Sequence, residues 1–282
     1  MTFRQGQHGN RWRFPRGKFS GGGLLVAVVV AVSVCASLRA CAEDLLKTEI
    51  IARFAEEKPR FWGMDLEGIT TRLPTEEKIL ALTFDACDGR PDGYDQELIE
   101  FLIKNKIPAT LFVSGQWIEA HKDVFSMLAA NPLFEIGSHG MRHRPLSVTG
   151  RFAYNLRGTE SVAAAFDEVE EGVSKIETLT GRRPAFFRAG GAHYDDVAVR
   201  LVKTLGCKIA GFSLNGDFGA TASADQVEKT FRSARGGEIV LMHMNRPGSG
   251  TLPGLKRSLP FLRERDFRFV RLSECFTEKE AE

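Results

Sequence analysis

Short apolar runs alternate with amphipathic patterns of helical period along most of this chain. Runs of strand character lie at 79–85, 109–113, 133–138, 185–188, 207–213, 238–243 and 268–272. Apolar residues recur every three or four positions at 94–105, 159–179, 194–206 and 223–234, which predicts helices there. Strands that alternate with helices in this way predict a parallel sheet with helices outside it, either doubly wound or closed as a barrel.

Polar side chains of catalytic type stand where several of the predicted strands end. Asp85 ends the first strand, His139 follows the third and Arg188 ends the fourth, while Asp217 follows the fifth and His243 ends the sixth. Because the carboxyl ends of parallel strands meet at one edge of the sheet, these five side chains are expected to gather there.

The first 42 residues have a different pattern from the rest. Five arginines and lysines and no acid precede an uncharged apolar run at 24–37, and the small residues Ala40 and Ala42 precede Glu43. This pattern is typical of a secretory signal, here residues 1–42, and predicts an exported bacterial protein, periplasmic or extracellular. An uncleaved membrane anchor and lipid attachment at Cys41 are the alternatives, and they are the only membrane association that the sequence suggests.

The remaining sequence divides into a lead-in at 43–77, a main domain at 78–276 and a polar tail at 277–282. A chain of 282 residues with a net charge of +2 and no long basic run gives no indication of nucleic-acid binding. Cleavage after Ala42 leaves Cys87, Cys207 and Cys275, too few for a disulfide framework.

His139 and His143 are four residues apart, directly behind the third predicted strand. If Ser138 caps a short helical turn, both imidazoles lie on one face and can bind one metal ion, to which a carboxylate would be the third ligand. Gly140 allows the backbone to turn sharply away from the strand. Two histidines of a polar surface loop are the alternative interpretation.

The sequence "LTFDACDG" places Asp85 and Asp88 close together after a strand. One carboxylate could bind the metal while the other takes a proton from water, although an Asp in this position also commonly makes an Asx turn or caps a helix. Further along, Arg188 could orient a carboxylate, and the glycines after it, Gly190 and Gly191, could bring backbone N–H groups to an oxyanion.

The last candidate pair is His243, which ends a buried strand, and Asp217 in the preceding segment. A carboxylate beside an imidazole would keep it protonated, as a general acid requires. A lone histidine at the end of a strand is also commonly structural.

Taken together and in this order, the motifs resemble those of the NodB-homology polysaccharide deacetylases, carbohydrate esterase family 4. "TFDACDG" resembles the family's Thr-Phe-Asp-Asp-Gly motif, "SHGMRH" its His-x-x-x-His motif, and "VLMH" its Leu-x-His motif. "RAGGAHYDD" stands in the place of Arg-x-Pro-Tyr, and "NGDF" in the place of an Asp-Trp pair. The resemblance covers about residues 78–273.

The resemblance implies a distorted (β/α)7 barrel that binds a divalent metal, commonly Zn²⁺, and removes acetyl groups from a polysaccharide or oligosaccharide, most often the N-acetyl group of GlcNAc units. It also implies a role for each matched residue. These roles are Asp85 as general base, His139 and His143 as metal ligands, Arg188 as the residue that positions Asp85, His243 as general acid, Asp217 as its partner, and the backbone of Gly191 at the oxyanion.

The chain departs from the family pattern at the third metal ligand. Ala86 stands where the family has its metal-binding Asp. We favour Asp88 as the third ligand, which requires a bulge of the chain at 86–87, and Cys87 or water are the alternatives. Two other functions therefore remain open. One is a glycan-binding relative without catalysis, and the other is a metal hydrolase of a small amide or O-acetyl ester.

Overall fold

The computed structural model describes residues 44–88 and 93–276, so the predicted signal segment at 1–42 and tail at 277–282 lie outside the described residues. The described residues from Glu49 onwards belong to one compact unit. Its strands are β1 Trp62–Gly63, β2 Ile69–Thr70, β3 Ile79–Ala86, β4 Ala109–Val113, β5 Phe134–Ser138, β6 Phe152–Ala153, β7 Leu156–Arg157, β8 Phe186–Phe187, β9 Tyr194–Asp195, β10 Lys208–Ala210, β11 Leu214–Asn215, β12 Glu238–His243 and β13 Arg268–Val270.

The first described helix, α1, comprises residues 44–54. The helices that follow it are α2 Gln96–Lys104, α3 Gly115–Ala120, α4 Lys122–Ala130, α5 Val162–Thr180, α6 Asp196–Thr204, α7 Ala224–Arg232 and α8 Thr251–Glu264. None of the helices in the described part of the chain has the length and apolar character that crossing a membrane requires.

The main sheet is parallel and curved, with β3 and β4 among its central strands. Its order is β11-β12-β3-β4-β5-β8-β10-β2, and β13 pairs with the start of β3. β12 and β3 lie side by side over six residue pairs, from Glu238↔Leu80 to His243↔Asp85. An isolated antiparallel bridge between Arg72, just after β2, and Glu238 links the two ends of the sheet. The result is a distorted, incomplete barrel with helices outside it.

Burial on both faces explains why the central strands are continuous apolar runs. All eight residues of β3 and all five of β4 are buried. One apolar cluster packs one face of these strands against α2, α3, α7 and α8. A second cluster, which includes Ala81 of β3 and Phe112 of β4, covers their other face, and a third packs α5 and α6 against β8 and β10. A strand covered on both faces keeps no alternation of polar and apolar residues, as parallel sheets typically show.

Side chains at the helix starts supply the hydrogen bonds that free backbone N–H groups need. Asp95 accepts from Leu98 N at the start of α2, Ser161 caps α5, and Ser223 forms a capping box with Gln226 at α7. Gly181, in the left-handed conformation at φ 72°, ends α5.

The predicted α/β fold with a parallel, barrel-like sheet is confirmed, and all seven predicted strands begin within one residue of a strand in the structure. The strand predicted at 207–213 is shorter than expected, because β10 ends at Ala210 and is followed by the separate strand β11. Helices α3, α4 and α8 and the β6–β7 hairpin were not predicted. In α8, Pro253 and Pro260 interrupt a pattern that would otherwise indicate a helix.

Candidate active site

A cleft of about 450 Å³ opens at the carboxyl ends of the parallel strands. We call it the rim cleft, and it is lined among others by Asp85, Cys87, His143, Gly191 and His243. Asp85 and His243, which are 158 positions apart in sequence, meet there because β3 and β12 are neighbours in the sheet. The sequence-based expectation that these strand ends converge is correct.

Asp85 is a buried carboxylate held by a fully buried guanidinium. Arg188 Nη1 donates to Asp85 Oδ1 at 2.8 Å and to the Thr83 hydroxyl at 2.8 Å. The other guanidinium nitrogens donate to the carbonyls of Ala210 and Gly211, and Arg188 also lies over the Phe112 ring at 4.3 Å. Burial alone would raise the pKa of Asp85, but the charge of Arg188 and, less strongly, of His139 and His243 lowers it below its ordinary value.

His243 is held from its other side by a second buried carboxylate. His243 Nδ1 lies 2.9 Å from Asp217 Oδ1, and Asp217 Oδ2 accepts from the backbone N–H of His243 at 2.7 Å. The hydroxyl of Thr251, at the start of α8, donates to the same Oδ2 at 2.8 Å. Burial opposes protonation of His243, yet its hydrogen bonds to Asp217 and Cys87 raise its pKa well above the ordinary value.

His139 and His143 approach each other, with ring centroids 4.8 Å apart, but they do so without a helix. After Ser138 ends β5, the chain turns through Gly140 at φ 77° and reaches His143 at φ 57°, both in the left-handed region. The predicted helical turn is therefore wrong, while the predicted proximity is correct. The sharp turn at Gly140, which lacks a Cβ, produces it.

Glu168 of α5 holds this turn from behind. Its buried Oε1 accepts from the backbone N–H groups of Arg142 and Arg144, on either side of His143, at 2.9 and 3.2 Å. Its backbone carbonyl accepts from Met141 N at 2.9 Å. Burial raises the pKa of Glu168, although these N–H groups oppose the change. Glu168 was not singled out from the sequence, because a charged residue of an amphipathic helix is ordinarily exposed.

Cys87 completes a group of three metal-ligating side chains with His139 and His143. Their donor atoms all lie within 4.8 Å of one another, and Cys87 Sγ is 3.8 Å from His139 Nε2. Burial opposes ionisation of the thiol, but the charge of His143 and hydrogen bonds with the surrounding histidines hold the pKa of Cys87 well below its ordinary value.

The group has the donor types of a zinc site, since a thiolate and two imidazoles are a common zinc donor set. Ligands of one ion lie about 3.5 Å apart when the bonds are about 2.0–2.3 Å long, so these donor atoms, which lie within 4.8 Å of one another, would move closer together around an ion. His139 Nδ1 lies 2.7 Å from the carbonyl oxygen of Arg188. This contact assigns the ring proton to Nδ1 and leaves the Nε2 lone pair facing Cys87 and Asp85, which is how zinc-binding histidines are usually oriented.

Asp88, the residue favoured from the sequence as third ligand, lies beside this group and not within it. β3 keeps regular register through Ala86↔Val113, so the bulge at 86–87 that Asp88 required is absent from the strand. Asp88 Oδ1 lies 3.3 Å from His143 Nδ1, and this contact, together with the charge of His143, lowers the pKa of the half-exposed Asp88 carboxyl although burial opposes the change. In the structure the thiol of Cys87 groups with both histidines, whereas the Asp88 carboxylate contacts only His143.

Gly191 follows β8 at φ 61° and lines the rim cleft, as expected for a backbone that approaches an oxyanion. The carbonyl oxygen of Gly191 lies 2.7 Å from Nδ1 of His193. His193 has no role predicted from the sequence. Tyr154 and Phe218 also line the cleft. Of these, the hairpin residue Tyr154 was missed by the sequence reasoning, since nothing in "RFAYNLRG" indicates which loop reaches the site.

Comparisons with known proteins agree with this geometry. Residues 72–210 match the polysaccharide deacetylase family model. A peptidoglycan-N-acetylglucosamine deacetylase of Bacillus cereus is 26% identical over 215 residues, which are 75% of this chain and 94% of that protein. The peptidoglycan-N-acetylmuramic acid deacetylase PdaA of Bacillus subtilis is 23% identical over 214 residues, 73% of this chain and 74% of that protein.

A solved structure shares the fold. A pseudoenzyme of carbohydrate esterase family 4 from Bacillus anthracis superposes with a TM-score of 0.63 at 22% identity, over 76% of this chain and 71% of that chain. The family match, the curated relatives and this fold all point to the family that the motifs indicated. This chain belongs to the polysaccharide deacetylase family, carbohydrate esterase family 4.

Proposed function

We propose that this protein is an exported, metal-dependent deacetylase that hydrolyses acetyl groups of a glycan, with the N-acetyl group of GlcNAc-type sugars as its main substrate. The observation that carries the proposal is the pairing of Asp85 with Arg188 and of His243 with Asp217 at one cleft, beside a group of three metal-ligating side chains. The B. cereus relative, named for the same chemistry on peptidoglycan, supports the choice of substrate.

The two charge pairs separate the roles of base and acid. Asp85, kept ionised by Arg188, takes a proton from the attacking water. His243, kept protonated by Asp217, gives a proton to the amine that leaves as the C–N bond breaks. We assign the stabilisation of the oxyanion to the backbone of Gly191, which lines the same cleft. Amide hydrolysis needs both groups, because a leaving amine without a proton would be expelled far more slowly.

We propose Cys87, His139 and His143 as the residues that hold the metal, with Asp88 orienting His143 through the 3.3 Å contact at Nδ1. When bound, an ion such as Zn²⁺ would polarise the acetyl carbonyl and make water more acidic. A thiolate ligand favours zinc over the harder cations Mg²⁺ and Ca²⁺, which prefer oxygen ligands.

Acetate release from chitooligosaccharides, peptidoglycan and O-acetylated xylan, before and after chelation, tests the proposal. We expect release from an N-acetylated substrate that chelation abolishes and Zn²⁺ restores. Asp85→Asn should keep its metal, measured by inductively coupled plasma mass spectrometry, and lose turnover. His139→Ala, His143→Ala and Cys87→Ser should each lose metal, whereas Asp88→Ala should retain it. A protein that binds glycan and releases no acetate would be a non-catalytic relative, and acetate release confined to small esters would point to an esterase.

Export is a separate part of the proposal and is supported by the basic and apolar pattern of residues 1–42. Fractionation of the source cells and N-terminal sequencing of the recovered protein test it. We expect a periplasmic or secreted chain that begins at Glu43. A cytoplasmic chain with an intact N-terminus would refute export and leave the catalytic proposal unaffected.

A further inference from the structure

We propose that Tyr154 forms a sugar-binding wall of the rim cleft, against which a pyranose ring of the glycan stacks. The inference rests on the proposed function and adds to it a residue that recognises the polymer and not the acetyl group. Tyr154 lines the same cleft as Asp85 and His243. It lies outside every motif that carries the family resemblance, so the motifs assign it no role.

The hairpin of β6 and β7 presents Tyr154 at its tip. Phe152 pairs with Arg157 and Ala153 with Leu156, which leaves Tyr154 and Asn155 as the two turn residues. Both have positive φ values, 49° and 64°. Such tight turns favour Asn, Asp and Gly, and a bulky aromatic residue is uncommon at positive φ. Strained conformations of this kind cluster at functional sites, which suggests that the ring at this tip serves binding.

Tyr154 is 70% exposed as a residue, and contacts nevertheless hold its ring in place. It meets the His193 ring edge to face, with centroids 5.3 Å apart at 87°. His193 is itself fixed by Gly191 O at 2.7 Å and by Trp62, whose ring centroid is 5.5 Å away. An exposed aromatic surface that is already ordered loses little conformational entropy on binding, which is what a ligand platform requires.

Gly191 makes room for this ring. A Cβ on Gly191 would lie 3.1 Å from Tyr154 Cδ2, a contact tighter than most side chains make, and its φ of 61° also disfavours a side chain. The aromatic ring beside Gly191 therefore belongs to a hairpin more than thirty positions upstream in sequence. A pyranose ring has an apolar C–H face edged by hydroxyl groups, and an apolar aromatic face at the edge of a polar cleft matches it.

Steady-state kinetics with two substrates tests the proposal. N-acetylglucosamine tetramer reaches beyond the acetyl group, whereas 4-nitrophenyl acetate engages only the reacting centre. For Tyr154→Ala we expect about a tenfold rise in KM for the tetramer, the size expected for the loss of one good stacking contact, with kcat within about twofold and no change with the small ester. Tyr154→Phe should behave as wild type. Phe152→Ala, which removes another exposed aromatic ring (62%) of the same hairpin, is the matched control and should also do so.

Calorimetry measures the contribution of Tyr154 to tetramer affinity in the absence of turnover. In an Asp85→Asn background, Tyr154→Ala should weaken tetramer binding about tenfold. The proposal would be overturned if Tyr154→Ala lost activity equally with the tetramer and the small ester, or if its KM and affinity for the tetramer were unchanged. The same loss of affinity in Phe152→Ala would also overturn it. So would a wild-type chain that neither binds nor deacetylates the tetramer. A wild-type chain that binds the tetramer through Tyr154 without releasing acetate would refute the catalytic proposal and support the wall.

Discussion

Replacing Arg188 by Met should destabilise the whole domain, because Arg188 neutralises a carboxylate that has almost no access to water. Asp85 is 4% exposed and Arg188 is fully buried. The guanidinium donates to Asp85, to Thr83 and to the carbonyls of Ala210 and Gly211. Met retains an unbranched apolar side chain but is shorter and has no donors, so four hydrogen bonds and one charge are lost together.

The expected loss is about 3–5 kcal/mol in the free energy of unfolding, the usual cost of leaving one partner of a buried ion pair unpaired. Removing the Asp85 carboxylate as well should restore a large part of the lost free energy of unfolding. Asp85→Asn combined with Arg188→Met should therefore be more stable than Arg188→Met alone, with a coupling energy of about 2 kcal/mol or more. Arg257→Met removes half of an exposed pair with Asp225 and should cost less than about 1 kcal/mol.

The stability that Arg188→Met loses should also depend on pH. Arg188 helps to depress the folded-state pKa of Asp85, so the pair contributes stability above the unfolded pKa of about 3.9, and this stability is lost as the pH falls through the lower folded value. The difference between wild type and Arg188→Met should accordingly be largest near neutral pH and narrow as the pH is lowered through about 4.

Urea unfolding followed by circular dichroism gives these free energies for the wild type, both single variants, the double variant and the Arg257 control. A loss in Arg188→Met no larger than that of Arg257→Met would refute the reasoning. So would a double variant as unstable as Arg188→Met, because the cost would then come from lost packing and not from an unpaired charge.

Two further predictions concern the supports of the site. Gly140→Ala should lower the free energy of unfolding by about 2 kcal/mol and reduce retained zinc, because its Cβ would lie 2.3 Å from Glu168 Oε1; Gly206→Ala, at a similar φ with no atom within 4 Å, should show the backbone cost alone in urea unfolding and keep its metal. Thr251→Val should cost about 1 kcal/mol of stability and lower kcat with metal content unchanged, since it removes a donor to Asp217; unchanged kcat would show that Thr251 does not position the acid.

The strands and their reactive ends could be predicted because burial on both faces leaves a clear signal. β4 and β12 were predicted with correct bounds and β3 to within one residue at its end, since each is an apolar run bounded by polar residues. The placement of Asp85, Arg188 and His243 at one rim then follows from parallel topology alone. None of this depends on the details of the loops.

Features set by loops and by contacts between distant segments could not be predicted. The turn from His139 to His143 depends on Glu168, 25 positions beyond His143, and no local pattern reveals that contact. The grouping of Cys87, and not Asp88, with both histidines depends on where β3 ends its register with β4. Helix α8 was hidden by its prolines, the first of which lies in its first turn, where proline is tolerated.

The pairing of β3 with β12 has a consequence for how the protein is made. The two strands are neighbours over six residue pairs, yet about 150 positions of chain separate them. On the ribosome, Asp85 emerges long before the strand that carries His243, so an incomplete chain holds one half of a proton-transfer pair without the other. Closing so long a loop is entropically costly and folding with such distant pairings is slow. Hydrolytic competence should thus appear all at once, and only after β12 has become available to pair with β3.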